Sequence, residues 1–351
     1  MGTRSSAVAV RGARIATRAL GLLLLAAAVA AGRFGADNEL ENLAPALVVG
    51  AAWPALLLGS ALLGAVWVWL DPWDTLARVL RADDREVGPG DVRWALLPAG
   101  IWVYYLTVRL DSTRPRVVGA ALAGYTLVVL AGALAVGRQR FLERAEVFGI
   151  VASWLARLRR RRIRQWNPPR GADLLLGILG GGLLFGGLRV SELWYPIEAS
   201  AGAQLWAALG LLGCAATAAV VLRLCATRAA RWGDGGIVVA AAVPVVAAIG
   251  IATGMGRNRF TTSLQLLPGL LGDPMGSGWD LLGSAGAVLQ PEPLGTTGLI
   301  VAQVVVLLVG ALVGARVSAA RAPTPQARGT AVGAIGVLLT AGILAVTVPV
   351  L

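Results

Sequence analysis

Two groups of polar residues interrupt an otherwise apolar chain with side chains that could do chemistry. The first is Arg189, Ser191, Glu192, Trp194, Tyr195 and Glu198; the second is Arg257, Asn258, Arg259, Gln265, Asp273 and Asp280. Guanidinium groups donate to anions, and carboxylates accept from hydroxyl and ammonium groups. Such a set could line an outward-facing pocket where arginines and carboxylates meet a polar ligand. The candidates are Arg189, Glu192, Arg257, Arg259, Asp273 and Asp280. The same residues also read as solvated loops beside an aromatic belt, and the sequence leaves both readings open.

Absent residue types narrow the chemistry. The chain has 31 arginines, no lysine and no histidine. It therefore lacks a Ser-His or Cys-His nucleophile pair, an imidazole metal ligand and an imidazole proton relay. It also lacks the lysine of a Schiff base or a phosphate-binding loop. A metal would have carboxylates alone, a set suited to hard cations. No catalytic residue, metal or cofactor is expected.

The elements that must position these residues are apolar helices. Of 351 residues, 57% are hydrophobic and 14% charged, well under the ~25% charged of soluble domains. Nine apolar stretches suit membrane spans, at about 19–32, 45–70, 94–108, 117–136, 172–188, 200–222, 236–255, 294–315 and 329–351. The count is eight if the first is a signal peptide, for which Ala28-Val29-Ala30 offers a small-residue site. The expected fold is an all-α polytopic transmembrane bundle. A basic segment, 1–18, precedes a single membrane domain, 19–351, which carries an outer cap at 256–293.

Charge orients the bundle. Arg157, Arg159, Arg160, Arg161, Arg162 and Arg164 crowd one loop, and such a run is retained on the cytoplasmic side, against anionic headgroups. Nine spans starting inside place 24 arginines within and 7 outside. That alternation predicts a multi-pass protein of the cell membrane with its N-terminus cytoplasmic and its C-terminus outside. The net charge of +12 follows from lipid contact in this reading, and no nucleic-acid partner is expected.

Local signals fill in the connections. Asp71-Pro72-Trp73-Asp74 reads as a capped helix start, and the helix it opens should lie along the inner headgroups. Trp67, Trp69 and Trp73 read as interfacial anchors. Residues 138–166 read as one amphipathic interfacial helix with Glu143 and Glu146 early and arginines late. Gly177/Gly181 and Gly182/Gly186 have the spacing of close helix contact. Ser277 to Asp280 fits a capping box that would open a short helix through Ser284. Cys214 and Cys225 are eleven residues apart, ~16 Å along one helix and too far to pair.

Three stretches occur in a distinctive order: ELENLAPALVVGAAWPALLLGSALLGAVWVWLDPWDTLARVL, then GRQRFLERAEVFGIVASWLARL, then LLGDPMGSGWDLLGSAG. From about Asn38 onward the chain resembles the bacterial polytopic membrane proteins labelled fenitrothion hydrolase or hypothetical membrane protein. The family favours Asn-Pro-Trp where this chain has Asp71-Pro72-Trp73, and its helix histidines have no counterpart here. The resemblance implies a polytopic fold; the hydrolase label finds no supporting residues. Three functions are expected in order: a transport-like or channel-like protein with an outward-facing polar site, a non-catalytic subunit anchoring a membrane protein partner, and a membrane hydrolase.

Overall fold

The computed structural model describes residues 2–84, 91–108, 113–159, 165–256, 259–289 and 296–347, without the side chains of 2–11, 159, 256, 259–261 and 296. Among the described residues the architecture is all-helical, broken by one isolated parallel bridge, Asp91 to Arg170. The helices are α1 (Gly2–Phe34), α2 (Leu43–Pro45), α3 (Trp53–Leu62), α4 (Trp67–Leu70), α5 (Pro72–Val79) and α6 (Leu96–Thr107). There follow α7 (Pro115–Val136), α8 (Arg138–Ala145), α9 (Val147–Arg159), α10 (Ala172–Arg189) and α11 (Tyr195–Glu198). The last are α12 (Ala203–Ala230), α13 (Gly236–Gly256), α14 (Arg259–Gly272), α15 (Thr296–Arg321) and α16 (Pro325–Thr347).

Eight stretches among the described residues are long and apolar enough to cross a membrane. They are Gly12–Phe34, Leu43–Leu62, Pro115–Val136, Ala172–Arg189, Ala203–Ala230, Gly236–Met255, Thr297–Arg321 and Pro325–Thr347. The chain is thus a multi-pass helical membrane protein. It forms two compact units: unit 1 comprises residues 1–88, 113–156 and 263–289, and unit 2 comprises 89–112, 157–262 and 290–351.

In unit 1, α1 and α7 run antiparallel and in backbone contact. A Cβ on Gly32 would stand 2.7 Å from the Gly119 Cα, so both positions need glycine for this approach. The second span is not one rod. Asn42 caps α2 through the Ala44 N–H, the turn Ala46–Ala52 is π-wound, and α3 ends at Leu63. Gly64, at φ 92°, breaks the helix in a conformation that suits glycine. After the short α4, Asp71 leaves helical geometry and caps α5, with Pro72 at the first helical position as the sequence predicts. Pro72, Trp73 and Ala77 of α5 are buried, while Val79 and Leu80 on its far side are exposed.

Residues 138–159 are two helices rather than one. The chain bends at Glu146 (φ −81°, ψ 105°), which ends α8 and precedes α9. The outer segment also differs from expectation: it contains α14, whereas 277–284 form turns and no helix.

Unit 2 is built on α13, whose residues 236–252 are almost wholly buried. Its neighbour α15 packs closely, since a Cβ on Gly310 would meet the Ala248 Cβ at 2.4 Å. The predicted small-residue contacts of α10 are realised inside this unit: Gly177 lies against Ala219, and Gly181 against Ala215. Helix α6 is too short to count as a span by length alone. It nevertheless runs parallel to α10 from end to end. Val92 N–H donates to the Arg170 carbonyl (3.0 Å), Val103 packs on Gly182, and Arg189 donates to the Thr107 carbonyl.

Candidate functional site: two buried carboxylates in unit 1

Asp71 and Glu146 are the buried residues of unit 1 that carry unusual chemistry. Each sits where a helix is interrupted, and each uses its carboxylate to cap the helix that follows. Asp71 Oδ1 accepts from the N–H groups of Trp73 (2.9 Å) and Asp74 (3.0 Å). Glu146 Oε1 accepts from Phe148 N–H (2.9 Å) and from the Tyr125 hydroxyl (3.0 Å), and Oε2 accepts from Gly149 N–H. Gly149 is required for that approach, because a Cβ there would lie 2.6 Å from Oε2 and 3.3 Å from the Trp67 ring. The Trp67 indole N–H lies near the same carboxylate without meeting strict hydrogen-bond geometry.

Aromatic rings close the site. Phe148 is the hub, with centroids of Trp53, Trp67, Trp73 and Tyr125 at 5.5, 5.9, 5.7 and 5.8 Å. Trp73 also packs edge-on against Tyr125 at 5.0 Å, and its indole N–H donates to the Thr126 hydroxyl (3.1 Å). Trp67 and Trp73 therefore line an interior box, where the sequence suggested interfacial anchors.

Electrostatics follow from this enclosure. Burial pushes the Asp71 carboxyl well above its ordinary value, and the Glu146 charge adds to the shift. Burial raises Glu146 to about 7, against the opposing pull of the Gly149, Phe148, Tyr125 and Trp67 donors. Among the described residues, no ion pair reaches either group. The nearby cations serve Asp74 instead. Its carboxylate accepts from Arg18 (3.1 Å), Arg78 (2.9 Å) and Arg138, and Arg138 extends to Asp84.

The residues proposed from sequence occupy other places. In unit 2, Arg189 is mostly buried and holds Glu198 (2.7 Å) as well as the Thr107 carbonyl. The Arg189 guanidinium keeps the Glu198 carboxyl below its usual range. Glu192 is exposed. In unit 1, Asp273 accepts from Ser277 N–H (3.0 Å) and Gly278 N–H (2.7 Å), and Asp280 accepts from Ala285 N–H (3.0 Å). Those backbone donors outweigh partial burial and hold Asp273 below its usual value. Arg257 and the side chain of Arg259 lie outside the described residues. Of the basic run, Arg157 stacks over Trp166 at 5.7 Å, whereas Arg160, Arg161, Arg162, Arg164 and the side chain of Arg159 lie outside the description.

Sequence reading missed Glu146 because 138–159 has a continuous amphipathic pattern. The available signal was local: a carboxylate directly before Val147-Phe148-Gly149 fits a helix cap as well as a helix interior. Among the described residues no group of three potential metal ligands occurs. Comparison with family models, curated proteins and solved structures gives no match.

Proposed function

We propose that this chain is a transport-like protein of the cell membrane, with the broken second span of unit 1 as its working element. The observation that carries the reading is the coincidence of an interrupted, partly π-wound helix with two buried carboxylates that no arginine pairs with among the described residues. Both lie between apolar spans rather than within one, and ionisable groups buried without a counter-charge are costly and cluster at functional sites. Interrupted helices place backbone polar groups where solutes and coupling ions bind. In this reading Asp71 and Glu146 form the coupling site of unit 1, and solute enters from the outer side, to which the proposal assigns Asp273 and Asp280 of the same unit.

The same proposal places the N-terminus in the cytoplasm and the basic loop at Arg157 against anionic headgroups. It takes α6 as a ninth pass, because α6 runs the length of α10, and so puts the C-terminus outside. Kinship with the fenitrothion hydrolase-labelled family, on the three motif stretches, belongs to it as well. The anchoring-subunit alternative loses one of its supports, since Gly177 and Gly181 are occupied by α12 of the same chain.

The test is a single cysteine at Val66, in the helix break, with Cys214 and Cys225 replaced. Transport predicts that an impermeant thiol reagent reaches position 66, and that an imposed pH gradient changes the labelling rate. A residue sealed from both sides under every gradient, together with a stoichiometric co-purifying protein, would select the subunit reading.

A further inference from the structure

We infer that Asp71 and Glu146 together bind a single exchangeable proton, and that a proton rather than a metal or organic cation is the ion this site takes. The inference rests on the transport reading for its purpose, but its physical basis is separate.

The first argument is donor arrangement. Both Glu146 oxygens already face N–H or O–H hydrogens from Phe148, Gly149 and Tyr125. These positive dipole ends occupy the directions a metal ion would need. On Asp71 both backbone donors converge on Oδ1, and neither reaches Oδ2. One carboxyl oxygen thus remains to carry a hydrogen.

The second argument is space. Phe148 has four ring neighbours within 6 Å, and Trp73 and Tyr125 close the same box. An ammonium group would have to displace this packing. A proton needs no volume.

The third argument is charge. Two buried carboxylates that repel each other, with no cation paired to either among the described residues, cannot both ionise cheaply. The groups around them are few: Asp74 on the first turn of α5, Tyr125 on α7, and each other. Arg18 of α1, Arg78 of α5 and Arg138 of α8 are held by Asp74, itself an anion that discourages a second charge on Asp71. Raised carboxyl pKa values agree with this picture. The binding step is simple. A carboxylate oxygen takes one proton to give a neutral carboxylic acid, and release reverses it. Because the charge of each disfavours that of the other inside one aromatic enclosure, the proton belongs to the pair rather than to either residue.

The experiment is infrared spectroscopy of the purified full-length protein in lipid bilayers, titrated in heavy water from about pH 5 to about pH 9. Wild type should show a neutral-carboxyl stretch that persists near neutrality and disappears with a midpoint far above the ordinary carboxylate range. Glu146→Gln should lose that titration or move its midpoint by at least one pH unit, and Asp71→Asn should also shift it. Tyr125→Phe, which keeps the ring packing and removes one donor to Glu146, should raise the midpoint. If no neutral carboxyl survives above about pH 5.5 in wild type, the inference fails. It fails equally if the band titrates identically in both carboxyl variants.

Since the wild-type titration alone can refute it, misfolding of a variant leaves the proposal testable. The readout does not involve transport. A titrating pair in a protein whose Val66 position stays sealed would retain the site and sink the transport reading. The reverse outcome would retain transport and sink the proton site.

Discussion

The two units treat acids near helix ends differently. Among the described residues of unit 2, three acids near helix ends have an arginine: Asp173 with Arg223 at 2.9 Å, Glu198 with Arg189, and Asp234 with Arg321. Arg321 also donates to the Trp166 carbonyl, and Asp234 caps α13 through Gly236 N–H (2.9 Å). In unit 1 the arginines gather on Asp74, while among the described residues Asp71, three residues earlier, and Glu146 have neutral donors alone. Pairing makes an acid a fixed strut. Leaving it unpaired at depth makes its charge state dependent on the surroundings.

The largest expected effect comes from breaking the strut in unit 1. Asp74→Asn removes the carboxylate shared by Arg18, Arg78 and the buried Arg138, leaving Arg138 with the exposed Asp84, which should cost on the order of 3–5 kcal/mol. Thermal aggregation in mild detergent should begin at markedly lower temperature. Asp71→Asn should not do this, since it removes an uncompensated charge; a loss equal to that of Asp74→Asn would erase the distinction between the two acids. In unit 2, Arg321→Gln should behave like Asp74→Asn but with a smaller loss, about 2–4 kcal/mol, because Asp234 is partly exposed and keeps its backbone donor.

The next effect is on pH dependence. Below the ordinary carboxyl value of 4.5, Glu146 is neutral in both the folded and unfolded chain. Between that value and about 7 only the unfolded chain ionises, so the folded state loses relative stability as pH rises. Above about 7 the loss is complete and amounts to roughly 3 kcal/mol for one raised carboxyl. The difference in melting temperature between Glu146→Gln and wild type should therefore grow in the variant's favour from pH 5 to pH 7 and then level off. A difference that is flat with pH would mean Glu146 is already charged throughout.

The smallest effect belongs to Asp273. Its two N–H partners lie in an exposed turn, so Asp273→Asn should cost about 1 kcal/mol or less. It should loosen the turn at 273–278 to protease without changing the infrared titration.

The spans were legible because hydropathy integrates over many residues, and the Asp71-Pro72 helix start was legible because a cap followed by proline is a local pattern. The break at 63–66 was not, since Leu62, Leu63, Val66 and Val68 keep the segment apolar and Gly64 alone turns it. The pair was invisible for another reason. Asp71 and Glu146 stand 75 positions apart, and their shared surroundings arise from the fold. Trp73 illustrates the same limit: a tryptophan near a span end reads as an interfacial belt, and the tertiary packing around Phe148 makes it part of a core.

The short helix α6 has a consequence for the lipid around it. With its leading turn it covers residues 93–107, about 22 Å of rise against a hydrocarbon core of about 30 Å. Leu97, Ile101 and Tyr104 are exposed along it, so on the proposed nine-pass reading lipid chains meet a wall several ångströms too short. The bilayer there thins, or the polar ends of the helix reach outward to meet the headgroups. On the proposed nine-pass reading, a bilayer of longer acyl chains presses on the helix whose far end carries the Thr107 carbonyl held by Arg189.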